Sequence, residues 1–139
     1  NVTKGEKWDI SIQVGRTYNL SDGLVQYNLS SENSYCYIGL DTISVNNATF
    51  KCAIIEENAT YTVNKILKGN TGSQYIIING KMNSVNWINI ENGVPIKGTC
   101  DLDQITLYDE SEIFKNISSI YNYVYGKIPI NQHITWELQ

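Results

Sequence analysis

YCYIGLDTISVNNATFKCAII, residues 35–55, is the stretch whose reading decides the fold class. Its two arms are rich in aromatic and β-branched residues, which suit a pleated, half-buried strand. Between them Asn46 and Asn47 tolerate turn conformations, so the stretch reads as a β-hairpin. Asn47-Ala48-Thr49 is also an N-glycosylation sequon at the tip. Cys36 and Cys52 lie one in each arm and are the natural disulfide pair by proximity. Cys100 is then left over, as a free buried thiol or a bond to a neighbouring subunit, although spacing alone leaves all three pairings open. A disulfide-tied hairpin with a sugar-ready tip belongs outside the reducing cytoplasm.

Working outward from this hairpin, alternation recurs. Residues 8–14 place Trp8, Ile10, Ile12 and Val14 on one side and Asp9, Ser11 and Gln13 on the other, the mark of a half-buried strand. Gly15 is expected to end it. Short strands follow at 17–20 and 24–29 around the turn signal Ser21-Asp22-Gly23, with a polar connection at 30–34. Beyond the hairpin, 56–59 reads as a turn, 61–67 as a strand, 68–73 as a loop, and 74–79 as a strand that Gly80 breaks. Strands at 85–90, 94–99, 104–108 and 130–138 complete the pattern, with Pro95 suited to a strand start. Strands about every ten residues with Gly/Asn/Asp turns between them predict a mainly β fold, an immunoglobulin-like or jelly-roll-type β-sandwich.

One region departs from alternation. Ile113, Phe114, Ile117, Ile120, Tyr121 and Val124 fall on a single helical stripe, predicting one short α-helix over about 110–125. Acids fill its first turn and Gly126 stands where a stop belongs. The alternating Tyr121, Tyr123 and Tyr125 make a strand the rival reading. The chain of 139 residues divides into an N-terminal strand (1–14) and a single sandwich domain (15–139). That strand can complete its own sheet or act as a donor to a neighbour, which makes Trp8, Ile10, Ile12 and Val14 candidate subunit contacts.

Composition narrows the function classes. A net charge of −4 with scattered lysines and the single arginine Arg16 argues against nucleic acid and against a basic membrane-surface patch. No apolar run approaches the roughly 20 residues of a membrane-spanning helix. A charged-then-apolar leader is absent, which suits a mature secreted chain. Charged residues are only 17%, and Asn, Ser, Thr and Tyr carry the polarity, as extracellular proteins often have it. The Asn, Ile and Tyr bias is also what AT-rich codons produce.

Modification is the strongest functional signal. Sequons begin at Asn1, Asn19, Asn28, Asn47, Asn58 and Asn116, six where composition alone gives about two or three. All but Asn116 fall in or beside expected turns or strand ends. Covalent N-glycans are therefore expected, and no other cofactor. The lone histidine, His133, has no evident partner in sequence, and no G-x-S-x-G elbow is present. The acidic group Asp101, Asp103, Asp109, Glu110 and Glu112 lacks the EF-hand pattern, and the last three suit a helix N-terminus. The expectation is a chain without catalytic or metal-ligating residues, not an enzyme.

In type, the alternating strands, sequons and low charge resemble envelope, pilus and thread subunits of archaea and bacteria. This implies a secreted cell-surface structural protein that polymerises with itself. The alternative is a monomeric, adhesin- or lectin-like module for a sugar or a host surface protein, using exposed aromatics or the loop at Asn46 and Asn47.

Overall fold

A computed structural model describes residues 2–70, 72–110 and 125–138. The described residues form one antiparallel sheet of six strands in chain order: β1 (Lys7–Leu20), β2 (Gly23–Val45), β3 (Ala48–Gly69), β4 (Gly72–Asn89), β5 (Pro95–Asp109) and β6 (Tyr125–Glu137). Mainly β is therefore correct. No second sheet lies among the described residues, so the sandwich layer expected from alternation is missing from this arrangement. The helix expected over about 110–125 falls on 111–124, outside the described residues, as do Asn1 and Asn116.

The strands are fewer and longer than the sequence suggests. β1 runs through Gly15, β2 through 30–34, β3 through 56–59 and β4 through Gly80. Residues that read as breaks are absorbed in two ways. Polar side chains on these runs bond one another: Ser31 Oγ donates to Asn33 Oδ1 (3.0 Å), and Asn33 Nδ2 donates to the Ile10 carbonyl (3.0 Å). Glycines are covered by aromatic rings from the next strand. A Cβ at Gly80 would lie 2.1 Å from Tyr61 Cζ, at Gly98 2.7 Å from the Trp136 ring, and at Gly126 1.8 Å from Tyr108. Such glycines let a neighbouring ring lie flat on the backbone, the aromatic rescue of strand glycine. Tyr61 then reaches across to donate its hydroxyl to Gln104 Oε1 at 2.7 Å. Gly80→Ala should displace that ring and break its bond, lowering stability by about 1–3 kcal/mol. Chemical denaturation of the variant checks it, and an unchanged midpoint would mean that the ring is not seated on Gly80.

Turn chemistry follows the sequence closely. Ser21 and Asp22 join β1 to β2, with Leu20 opposite Gly23. Asn46 and Asn47 form the β2–β3 turn with φ of 51° and 64°, the doubly positive geometry that matches strand twist and that asparagine tolerates. Pro95 is the first residue of β5.

The disulfide expectation is corrected. Cys36, Cys52 and Cys100 are all free. Folding about Asn46 and Asn47 sets Cys52 opposite Asp41, while Cys36 lies opposite Glu56. Four residues of strand separate the two thiols, about 13 Å, where a disulfide needs Cα atoms within about 7 Å. Proximity in sequence suggested the pair, and the hairpin's own mirror symmetry forbids it.

A bulge between Tyr37 and Gly39 shifts the β2–β3 register by one residue. Past it, alternation in β2 is inverted, which turns Ile43 and Val45 onto the face that carries Cys52. These three and Ile96 form the buried core cluster, with Phe50 and Trp87 packed against it. It sits at the hairpin tip, where Leu138 N donates to the Ile96 carbonyl (2.7 Å) and Asn46 Nδ2 to the Leu138 carbonyl (3.0 Å).

Candidate interaction surface

Residues opposite one another in a sheet share a face, so the registers sort every strand residue onto one of two surfaces. On one face, successive rows run Trp8–Tyr35–Glu57–Ser84–Cys100–Ile134, then Ile10–Asn33–Ala59–Met82–Leu102–Gln132, then Ile12–Ser31–Tyr61–Gly80–Gln104–Ile130. The next row, Val14–Leu29–Val63–Ile78–Thr106–Ile128, is wholly without charge. The interleaved rows on the other face are polar: Asp9–Ser34–Asn58–Asn83–Asp101–His133 and Ser11–Glu32–Thr60–Lys81–Asp103–Asn131. That face turns apolar toward the β3–β4 turn, at Ile66, Tyr75, Ile77 and Leu107, and again at the core cluster.

The apolar face is bare among the described residues. Ile10 is 45% exposed and Ile128 50%, and Trp8, Ile12, Ile134 and Trp136 are exposed as well. Trp8 and Trp136 thus lie on this open face at opposite margins of the sheet. Trp8 is stacked on Tyr35 with ring centroids 5.6 Å apart. Trp87 lies on the other face, donating to Asp41 Oδ2 at 3.1 Å beneath the Lys97 ammonium. The one acid on the four apolar rows is hydrogen-bonded locally: Glu57 accepts from the Tyr35 hydroxyl (2.9 Å) and from Ser84 Oγ (3.2 Å). Burial, followed by the Glu57 bond and charge, pushes the Tyr35 hydroxyl above its ordinary pKa. Burial, with Asp101 and Glu57 nearby, likewise pushes the Cys100 thiol up, which keeps it a poor nucleophile at neutral pH.

β1 and β6 are the two edges of the sheet. Tyr37 N donates to the Glu6 carbonyl, which fixes the hydrogen-bonding phase of the β1–β2 pair. Even-numbered β1 residues bond β2, and the odd ones, Asp9 through Asn19, direct their N–H and C=O groups outward. The bond from Leu138 N to Ile96 fixes β6 in the same way, with odd residues facing out. Pro129 is one of them, so its missing N–H takes nothing from the β5–β6 ladder. β1 carries no proline at all. The N-terminal residues Trp8, Ile10, Ile12 and Val14 pair with β2 of their own chain.

The remaining sequence-derived candidates lie on the polar face or at its turns. Asn19, Asn28 and Asn58 are exposed there, and Asn47 is exposed at the hairpin tip. Asn28 and Asn58 lie within long strands, not at the strand end and the turn that the sequence suggested for them. His133 does have a partner that sequence could not show: its Nδ1 lies 2.6 Å from Asp101 Oδ1, directly across the β5–β6 pair, and both side chains are largely solvated. A shallow groove of about 430 Å³ crosses this face, lined by Ser30, Glu32, Thr60, Thr62, Lys81 and Asp103 among others. No cluster of three His, Cys, Asp or Glu residues among the described residues is placed to hold a metal ion.

No family model, curated protein or solved structure matches this chain.

Proposed function

We propose that this chain is a secreted, N-glycosylated structural subunit that joins copies of itself edge to edge into a surface assembly or filament, and that it is not an enzyme. The observation that carries this reading is the open β1 edge. A strand of 14 residues with no proline and an outward row of backbone groups that no described strand pairs is a template for a further strand. Because β1 is paired with β2, addition takes place on its outer edge and does not require the strand to leave its own sheet.

The even number of strands makes the arrangement self-propagating. β1 and β6 run in opposite directions, so a second copy set beside the first without inversion brings its β1 antiparallel to the first copy's β6. Keeping the rows level matches Ile12 to Ile130 and Val14 to Ile128 on the apolar face, and Asp9 to His133 on the polar face. The outward hydrogen-bonding residues of both edges then coincide. Such a contact is heterologous and does not close, which generates a filament. The natural twist between strands would wind it.

Cross-linking tests the register. Residues 12 and 130 would form a non-hydrogen-bonded pair, with Cα atoms about 4.5 Å apart, within disulfide range. The double variant Ile12→Cys with Ile130→Cys should oxidise to a ladder of covalent oligomers. Ile12→Cys with Asn131→Cys, which points to the other face, should stay at the baseline of the three native thiols. Equal behaviour of the two variants would remove the edge-addition reading. A monomeric binding module for a sugar or host surface protein is the second reading, favoured by the polar groove and its Glu32, Lys81 and Asp103.

A further inference from the structure

We infer that the apolar face is the buried layer between two copies of this chain, packed face to face about a two-fold axis that crosses β3 near Tyr61. The inference deepens the self-assembly reading, yet it concerns a different surface and can fail separately.

Four observations select a second copy as the occupant. The first is size. The six strands share their rows from Trp8 to Arg16, about 27 Å along the strands and about 24 Å across them. That is about 650 Å² of flat area before side-chain relief, close to the roughly 800 Å² per partner of a stable interface. The second is composition: an alternating antiparallel sheet is stable with one face packed and one in water, and the packed layer of a sandwich is another such sheet. The sandwich that alternation implies is then completed between copies.

The third is charge. Across the shared rows the apolar face carries only Arg16, Lys65 and Glu57. Lys65 and Glu57 both belong to β3 and lie four residues to either side of Tyr61. A two-fold axis at Tyr61 lays β3 over β3 and brings Lys65 of each copy to Glu57 of the other. The same operation brings Arg16 to Trp8, a cation over an aromatic face. The surface is thus complementary to itself, as an isologous contact requires. The fourth is where the sequons fall. Asn19, Asn28 and Asn58 all project from the opposite face, so glycans there leave the apolar face clear.

The test separates face from edge by blocking the edge. The full-length chain with Gln13→Pro, which removes an outward N–H and leaves the β1–β2 bonds in place, is examined by sedimentation velocity over a wide concentration range. A concentration-dependent dimer is expected. Ile78→Lys, at the centre of the apolar face, should raise its dissociation constant at least about a hundredfold. Asn79→Lys, one residue along and on the polar face, should leave it unchanged. Lys65→Glu should weaken the dimer about tenfold, with the loss shrinking as salt rises. Far-UV circular dichroism of each variant confirms that the sheet is retained, since lysine at residue 78 meets solvent in a lone chain. A chain that stays monomeric at every concentration overturns the inference, whether its apolar face is bare or covered by its own residues 111–124. So does a dimer that Ile78→Lys leaves intact.

Discussion

Gln13→Pro should weaken edge-to-edge assembly sharply while leaving the sheet folded. Residue 13 directs its N–H away from β2, so proline there breaks no hydrogen bond within the chain. Proline also pushes the preceding residue toward extended geometry, which Ile12 already has. At the edge the effect is large. In the level register residue 13 meets Pro129, which already lacks a donor, so the substitution leaves that pair with no backbone bond at all. The critical concentration for assembly should rise at least about tenfold, equivalent to about 1.4 kcal/mol per contact. Light scattering against protein concentration reads this directly, with the thermal midpoint as the control for folding. Undiminished polymers from a folded variant would mean that β1 is not the growing edge.

Ile96→Ala should be the most damaging single truncation in the described residues. Ile96 is 1% exposed and Cys52 0%, the most deeply buried hydrophobic side chains among the described residues. Elsewhere the sheet is mainly half-buried, so a deletion there is partly refilled by solvent. At Ile96 the space is closed by Ile43, Val45 and Cys52, with Phe50 and Trp87 at its margin. Removing three methyl-sized groups from such a site costs about 2–5 kcal/mol. Against the usual 5–15 kcal/mol of total stability that is a large fraction, and a loss of 3 kcal/mol lowers the melting midpoint by about 10 °C in a chain of this size. Ile96→Val should lose about 1 kcal/mol. Calorimetry of the pair distinguishes a packed knot from a loosely covered one. A small effect from Ile96→Ala would mean that the hairpin tip does not hold β5 and the 138 end of the chain together.

The two variants probe parts of the molecule that were unequally legible in the sequence. The row Trp8, Ile10, Ile12, Val14 could be read as one side of a strand because period-two alternation is a local property. What that row faces is not local, and alternation alone implied a second sheet. The polar face was readable as polar for the same reason, yet the His133–Asp101 contact was not. It joins residues 32 apart that meet only because β5 and β6 are adjacent and in a given register. The core cluster was hidden for a related reason. The bulge at Tyr37 and Gly39 inverts the alternation of β2, so Ile43 and Val45 change face relative to a simple count from Tyr35.

Strand lengths show the same division. Gly15 and Gly80 are breakers when judged by intrinsic preference, and 56–59 is a turn by composition. Gly80 is instead roofed by Tyr61, and residues 56–59 are held by partners on both sides, Asn33 to Cys36 in β2 and Met82 to Val85 in β4. Cross-strand neighbours override local preference, because a central strand gains a ladder of bonds along each edge.

By itself the sequence determined a β-rich chain, the turns at Ser21-Asp22 and Asn46-Asn47, the start at Pro95 and the positions of the sequons. Each of these rests on the backbone preference or chemistry of one to four adjacent residues. Only the tertiary structure decided that the described strands number six and make a single meander, that Cys36 and Cys52 lie four residues out of register, and that no other described residue covers one face or either edge of the sheet. Those are relations between residues far apart in the chain. They are set by register and by bulges, which a local pattern does not encode.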